Sequence, residues 1–321
     1  VTDFVSWQKH VNHVIATQGR WIGLCDGDGN PLCDLPLPTA YSHPDQWGET
    51  SDVEISLPGV RDDGSIQRHA EILIMDAIKE FDPSGQLPPA EDAFYVVSAT
   101  ASQHGVERKS MRIIYTNADD PDTIGTPQNT TIFGLDLKDI WKMIPAQSWP
   151  ASWWRATPYE RTSDESGLIY PEPWNMAKIQ IANRTLFTFK HGQAGFVIRR
   201  LAQEALDAAM MTQQDPDGTR WVDDPYHVVE VPEEDNSPII SLEARDGSLW
   251  DTCIGQAQNA GLILGARLWW PGDPPVRSWQ LANSSMTPEQ VDITPSQGEP
   301  YRQIMEQTFP HAMTVLTVKE V

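Results

Sequence analysis

The chain has 321 residues, 40% hydrophobic and 21% charged, so it can bury the cores of about two domains and is not a disordered chain. With 23 Lys+Arg against 45 Asp+Glu the net charge is −22, which disfavours gripping DNA or RNA, because that grip needs cations to displace counterions from phosphates. Three cysteines exclude a disulfide framework, and no stretch approaches the roughly 18 consecutive apolar residues of a membrane-spanning helix.

In chain order, Phe4, Trp7, Val11, Val14 and Ile15 recur at spacings of three and four. That pattern predicts an amphipathic helix over 3–17, stopped at Gly19. A helix this short must dock on something to persist, another subunit included. Residues 21–37 read as two short strands around the turn Asp26 to Pro31. Val53, Ile55 and Leu57 alternate with polar residues, the period of a half-buried strand over 51–59. Residues 94–103 and 108–117 read as a hairpin around Gly105, and 131–144 as a strand that turns into a short helix after Gly134. The segment 70–81 fits a strand as well as a helix. Residues 145–175 hold Trp149, Trp153, Trp154 and Trp174 among prolines, a loop-rich aromatic connection. The Ala-rich stretch 194–211 predicts a helix, 226–234 a strand ending at Pro232, and 241–261 an extended start followed by a helix closed by Gly261. Residues 262–275 read as a strand and a turn, 276–300 as a loop, 301–309 as a helix and 311–321 as a final strand.

Candidate chemistry is sparse. Asp26-Gly27-Asp28-Gly29-Asn30 resembles the start of a calcium loop, but the required Gly and Glu positions hold Pro31 and Leu37. Cys25 and Cys33 flank that hairpin tip, where their side chains could face each other; two reduced, half-buried thiols are expected, and Cys253 falls on an apolar helix face. His10 and His13 lack the HExxH pattern of zinc hydrolases. The acidic groups Asp119, Asp120 and Asp122, Asp223 and Asp224, and Glu233, Glu234 and Asp235 lie in expected loops, where runs of acids form solvated faces. No GxSxG elbow, Walker loop or GxGxxG is present, so no catalytic, cofactor-binding or metal-binding residue is assigned and no cofactor is expected. The 13 Trp support two readings, core and interface anchors or stacking platforms for sugar rings.

The order of these features resembles a known family. The strand ending in SLPG (56–59) is followed by the hairpin AFYVVSATASQ…MRIIYT and by IFGLDLKDIW (132–141). After these come the helix 194–211, the segment SLEARDGSLWDTCIGQAQNAGL (241–262) and GARLWWPGDPP (265–275), of which RLWWPGDP is the most distinctive part. Over about 50–275 the chain is similar to the tail-tip, baseplate-hub (tail-associated, minor tail) proteins of long-tailed actinobacteriophages.

The resemblance implies an α+β, β-rich fold: hub-type tube β-barrel domains plus a smaller mixed α/β domain. The expected parts are a docking helix (1–19), a first tube-like barrel (20–145), a Trp/Pro-rich connection (146–175) and a mixed domain (176–321). In the last, strands 226–232, 262–270 and 311–321 would form a second tube portion. It also implies a non-enzymatic structural protein of the virion, a homotrimer at the tail tip, with the distal tail protein, the tape-measure protein and other tail-tip proteins as partners. DNA would pass through without specific binding, and many family members extend beyond this length. The interface candidates are Phe4, Trp7, Val11, Trp149, Trp153, Trp154, Trp174, Trp269 and Trp270. The rival expectation is a carbohydrate-active protein, a glycoside hydrolase or a sugar-binding module.

Overall fold

The computed structural model describes residues 3–75, 93–102, 105–119, 126–146, 160–175, 189–214, 223–244, 247–281 and 302–321. The fold is β-rich α+β with one large antiparallel sheet. It divides into two units, each discontinuous in sequence. The first comprises 1–139, 265–274 and 308–315; the second comprises 140–264, 275–307 and 316–321. The helix expected as a separate part therefore belongs to the first unit, and the late segments 265–274 and 308–315 return to it.

The first unit opens with α1 (Phe4–Gln18). The Asp3 carboxylate accepts from the Ser6 backbone N–H at its start, and Gly19, at φ 81°, ends it in the left-handed conformation that glycine adopts without penalty. The seven-stranded sheet has the order β2-β1-β5-β6-β7-β4-β3. Its members are β1 (Arg20–Cys25), β2 (Pro31–Asp34), β3 (Ala40–Ser42), β4 (Asp52–Pro58), β5 (Tyr95–Ser102), β6 (Gly105–Asp119) and β7 (Asn129–Asp136). β7 runs straight through Gly134, where a hinge into a helix was expected. Gly134 pairs with Val53 and Ile113, and the chain turns only at Leu137. A short helix, α3 (Ile140–Met143), follows at the start of the second unit.

Chain length forces this sheet to roll. The two edge strands, β2 and β3, are joined by residues 35–39 alone. Such a link spans at most about 20 Å, whereas the edges of a flat seven-stranded sheet lie about 29 Å apart. Side chains mark the closure. Tyr41 of β3 reaches Ser98 of β5, Oη to Oγ 3.0 Å, although β6, β7 and β4 separate them in sheet order. The Arg20 guanidinium of β1 lies over the same Tyr41 ring at 5.2 Å.

Period-two alternation then sorts side chains to two faces. Ile22, Leu24, Val53, Ile55, Leu57, Val96, Met111 and Ile132 fill the interior of the roll. Trp21, Cys25, Val97 and Ala99 point the other way and pack beneath Phe4, Val11 and Ile15 of α1. Cys25 and Cys33 thus belong to opposite faces: Leu24, not Cys25, is the cross-strand partner of Cys33, and both thiols are free. Cys25 is fully buried rather than half-buried. The ambiguous segment 70–81 begins as a helical turn, α2 (Arg68–Ala70), and a π-helical turn, Glu71–Met75. The rest of it lies outside the described residues.

The second unit is organised on α4 (Ala194–Gln214) and α5 (Leu249–Asn259). Val197, Ile198, Leu201, Ala205, Trp250 and Cys253 share its core with Val229, Leu242, Leu262 and Leu316. Strands β11 (His227–Val229), β13 (Leu262–Trp269) and β16 (Met313–Glu320) share one three-stranded sheet, the three late strands that were expected together. Two hairpin-like pairs replace expected irregular structure. β8 (Glu160–Ser163) pairs with β9 (Ile169–Asn175) inside the aromatic connection. β14 (Val276–Leu281) pairs with β15 (Arg302–Gln307) where a loop and a helix were expected. The cross-strand pair Trp279 and Ile304 explains the latter: a strand partner distant in sequence outweighs local helix preference. β10 (Phe189–Gln193) pairs with β12 (Ile239–Glu243).

Candidate functional site

The feature most densely built from the sequence candidates is a knot around the turn Trp270 to Pro274. The turn closes on itself: the Asp273 N–H donates to the Trp270 carbonyl at 2.9 Å, and the Trp270 N–H donates to Asp273 Oδ2 at 2.8 Å. Gly272 supplies the positive φ of 100° that the turn needs, and a Cβ there would run into Gln8 Oε1. The Trp269 indole N–H donates to the Pro274 carbonyl at 2.8 Å, and the Trp270 indole N–H donates to the Gly29 carbonyl at 3.1 Å. The expected polar hairpin tip is therefore a docking point for an indole. Asp26 is occupied inside the tip, accepting from the backbone N–H groups of Asp28 and Asn30.

Aromatic rings and one guanidinium surround Trp270. Trp21 meets it edge-on at 5.9 Å, Phe4 lies at 6.4 Å, and Trp7 stands edge-on to Trp21 at 6.3 Å. The Arg108 guanidinium lies over the Trp270 ring at 4.4 Å and donates to both oxygens of Asp273. Gln8 of α1 also donates to Asp273 Oδ1, at 2.9 Å. Asp34 accepts from the Trp21 indole N–H at 2.7 Å and bonds the His10 ring at 2.6 Å. Five of the nine interface candidates, Phe4, Trp7, Val11, Trp269 and Trp270, thus pack within the first unit, and all but half-buried Trp7 are buried there. The residues sequence reasoning missed are Arg108, Asp273 and Gln8; charge and amide positions in a strand, a turn and a helix leave no shared local pattern.

Of the remaining candidates, Trp174 is 63% exposed on the β8–β9 hairpin and stacks on Tyr170, centroids 5.3 Å apart and planes 11° from parallel. Leu168 and Ile169 beside it are also exposed. Trp149, Trp153 and Trp154 lie outside the described residues. A second stacked pair, Tyr115 and Phe133 at 4.5 Å, lies on adjacent strands β6 and β7 of the rolled sheet, with Tyr115 and Ile114 exposed.

Two polar constellations complete the survey. His43 bonds Asp136 at 2.7 Å and Tyr41 Oη at 3.3 Å, and Tyr41 in turn bonds Ser98. The order of groups invites comparison with a nucleophile relay, but Tyr41 stands between histidine and serine, and the His43 side chain is 3% exposed. The constellation ties the β3 end of the rolled sheet to β5 and β7. In the second unit a cleft of about 510 Å³ is lined by Glu230, Glu233, Glu234, Glu306 and Glu320 together with Arg199, Arg277 and Lys319. Arg199 donates to Asp235 at 2.9 Å and to the Val318 carbonyl. Burial pulls its guanidinium below its ordinary pKa against the opposing pull of Asp235, Glu320 and Glu230. Two acids of this cleft, Glu230 and Glu320, are thus countercharges to a buried cation. Among the described residues no group of three His, Cys, Asp or Glu side chains converges to hold a metal, and no helix is long and apolar enough to cross a membrane.

No protein-family model matches the chain, and no curated protein matches it.

Proposed function

We propose that this chain is a structural protein of a phage virion, a hub at the distal end of the tail tube. On this reading it assembles as a homotrimer, joins the tube and the distal tail protein to the tail tip, contacts the tape-measure protein, and contributes to the channel through which DNA leaves. The observation that carries the reading is the rolled seven-stranded antiparallel sheet with its side-chain-filled interior, which we take as the first tube-like barrel. The β11-β16-β13 sheet is taken as part of a second.

Two further features support it. Exposed Tyr115, stacked on half-buried Phe133, and exposed Ile114 offer apolar surface on the first barrel, suited to burial between subunits. The net charge of −22 suits a wall that must not adsorb the nucleic acid it conducts, because each added cation would bring counterion-release affinity. The indole N–H groups of Trp21, Trp269 and Trp270, both Arg108 Nη groups and the Asp34 and Asp273 carboxylates are taken up in holding the fold, and no catalytic role is assigned.

Exposed Trp174, stacked on half-buried Tyr170, favours the second reading, a carbohydrate-active protein with an aromatic platform for sugar rings. Native mass spectrometry and electron microscopy of the full chain separate the two. A three-copy ring with a central pore supports the hub. A stable monomer that binds or cleaves cell-wall polysaccharide overturns it.

A further inference from the structure

Residues 67–75, which follow β4, pack against the interior of the rolled sheet. The Gln67 N–H donates to the Gly59 carbonyl at 2.8 Å, and the chain then makes one helical turn, Arg68–Ala70, and a π-helical turn, Glu71–Met75. Leu73 is buried in the interior core and Ile72 packs against it. π-Helical turns are rare and recur where a helix must be distorted for a purpose.

His69 sits at the root of this plug. It is 1% exposed, and neither Nδ1 nor Nε2 has a hydrogen-bond partner among the described residues. A buried neutral imidazole without partners already costs stability, and a leucine would fill such a seat without leaving polar atoms unsatisfied. A buried imidazolium would be far worse, since it adds an uncompensated charge. Among the described residues no charge is paired with it. On the segment itself, Arg68 pairs with Glu71 at 2.8 Å in an exposed position. β6, the strand packed against the π turn, carries Glu107, Arg108, Lys109, Arg112, Tyr115 and Asp119, of which Arg108 is held by Asp273 and Lys109 by Asp45. Cys33 lies within electrostatic range of Arg68.

We infer that His69 makes the 68–75 segment an acid-released plug: on taking up a proton the imidazole leaves its apolar seat and draws Leu73 out of the interior of the rolled sheet. Burial alone pushes the His69 pKa from 6.5 down to about 4. In the released state the ring recovers its ordinary value, so release gains on the docked state as pH falls below about 6.5. From pH 7.5 to pH 5 the docking equilibrium weakens by about thirtyfold. This device is independent of what the protein assembles with.

Hydrogen exchange of the full chain, read by mass spectrometry at pH 7.5 and pH 5 and corrected for intrinsic exchange, tests it. Peptides covering 66–75 should lose about thirtyfold in protection at pH 5 while β1 and β5 keep theirs, and His69→Leu should abolish the loss. Equal protection at the two pH values overturns the inference, as does the same acid loss in His69→Leu. Should that variant fail to fold, the imidazole resonances of the unmodified chain decide. A His69 titration near 4 to 5 that tracks the exchange of 66–75 supports release, and one near 6.5 without a change in exchange overturns it.

Discussion

Arg108 and Asp273 form a two-pronged ion pair, Nη1 to Oδ2 at 2.6 Å and Nη2 to Oδ1 at 2.5 Å, although 165 positions separate them in the chain. Both side chains are largely buried, 14% and 12% exposed. The same guanidinium covers Trp270, and the same carboxylate holds the Trp270 N–H and Gln8. Removing one partner leaves a buried charge without its counterpart, so Arg108→Ala is expected to cost about 3–5 kcal/mol. Arg108→Lys keeps the charge, loses the planar fork, and is expected to cost about 1–3 kcal/mol. Urea unfolding midpoints at unchanged slope measure both, and a double-mutant cycle with Asp273→Ala should return a coupling above about 1 kcal/mol.

The core beneath α1 includes Leu268, Trp270 and Ala312, which come from late segments of the chain. A fragment comprising 1–139 lacks them and leaves Trp21, Val97 and Phe4 without their cover. It is expected to unfold without cooperativity, seen as a loss of near-ultraviolet circular dichroism. In the full chain Trp270→Ala should cost about 3–5 kcal/mol.

Two glycines should respond in opposite directions to alanine. At Gly134 a Cβ would collide with the Arg112 carbonyl oxygen of the paired strand β6. Backbone cannot swing aside as a side chain can, so Gly134→Ala should lower the melting temperature. Gly255 lies inside α5 with nothing within 4 Å of a new Cβ. Gly255→Ala should stabilise by about 0.5–1 kcal/mol through helix propensity and a less flexible unfolded chain. Calorimetry of the two variants gives the signs directly.

The thiols are expected to be inert. Burial pushes Cys33 up to about 11 and Cys253 up to about 12, and Cys25 is also raised, by burial first. Thiolate is the reactive form, so at pH 8 a thiol reagent should label the native chain slowly, at half-buried Cys33 before the other two. Mild oxidation should give no Cys25–Cys33 disulfide, because the two project from opposite faces of the sheet. Peptide mapping after labelling distinguishes these outcomes.

Asp235 gives the second unit an acid limit. Burial works to raise its carboxyl, but the bonds from Ser237 and the charge of Arg199 outweigh this and leave it below its ordinary value. A carboxylate with a depressed folded pKa stabilises fully above its unfolded value of about 3.9, and that stabilisation fades as pH falls through the folded value. Asp235→Asn should therefore be less stable than the unmodified chain at pH 7, with the gap narrowing below about pH 4. Thermal melts at stepped pH would show it.

How far the sequence could be read depended on how local each cause is. The helix 4–18 was legible because Phe4, Val11 and Ile15 repeat at helical spacing and Gly19 follows, and β4 because Val53, Ile55 and Leu57 alternate. β15 was not legible: Ile304 and Met305 are adjacent, and only the pairing with β14 makes the segment a strand. The turn at 270–274 was visible as Pro, Gly and Asp in a row, yet nothing near it named Arg108 as its anchor.

The sequence by itself determined where chain segments bend or extend, the charge they carry, and which faces are apolar, since caps, side-chain periods and composition act between near neighbours. Only the tertiary structure decided what each apolar face meets: α1 lies on its own unit, two cysteines on neighbouring strands look apart, and His69 is sealed in without a hydrogen-bond partner among the described residues. Burial and ion pairing depend on distance through space, and a chain that folds back on itself brings together residues whose separation along it carries no trace of the meeting.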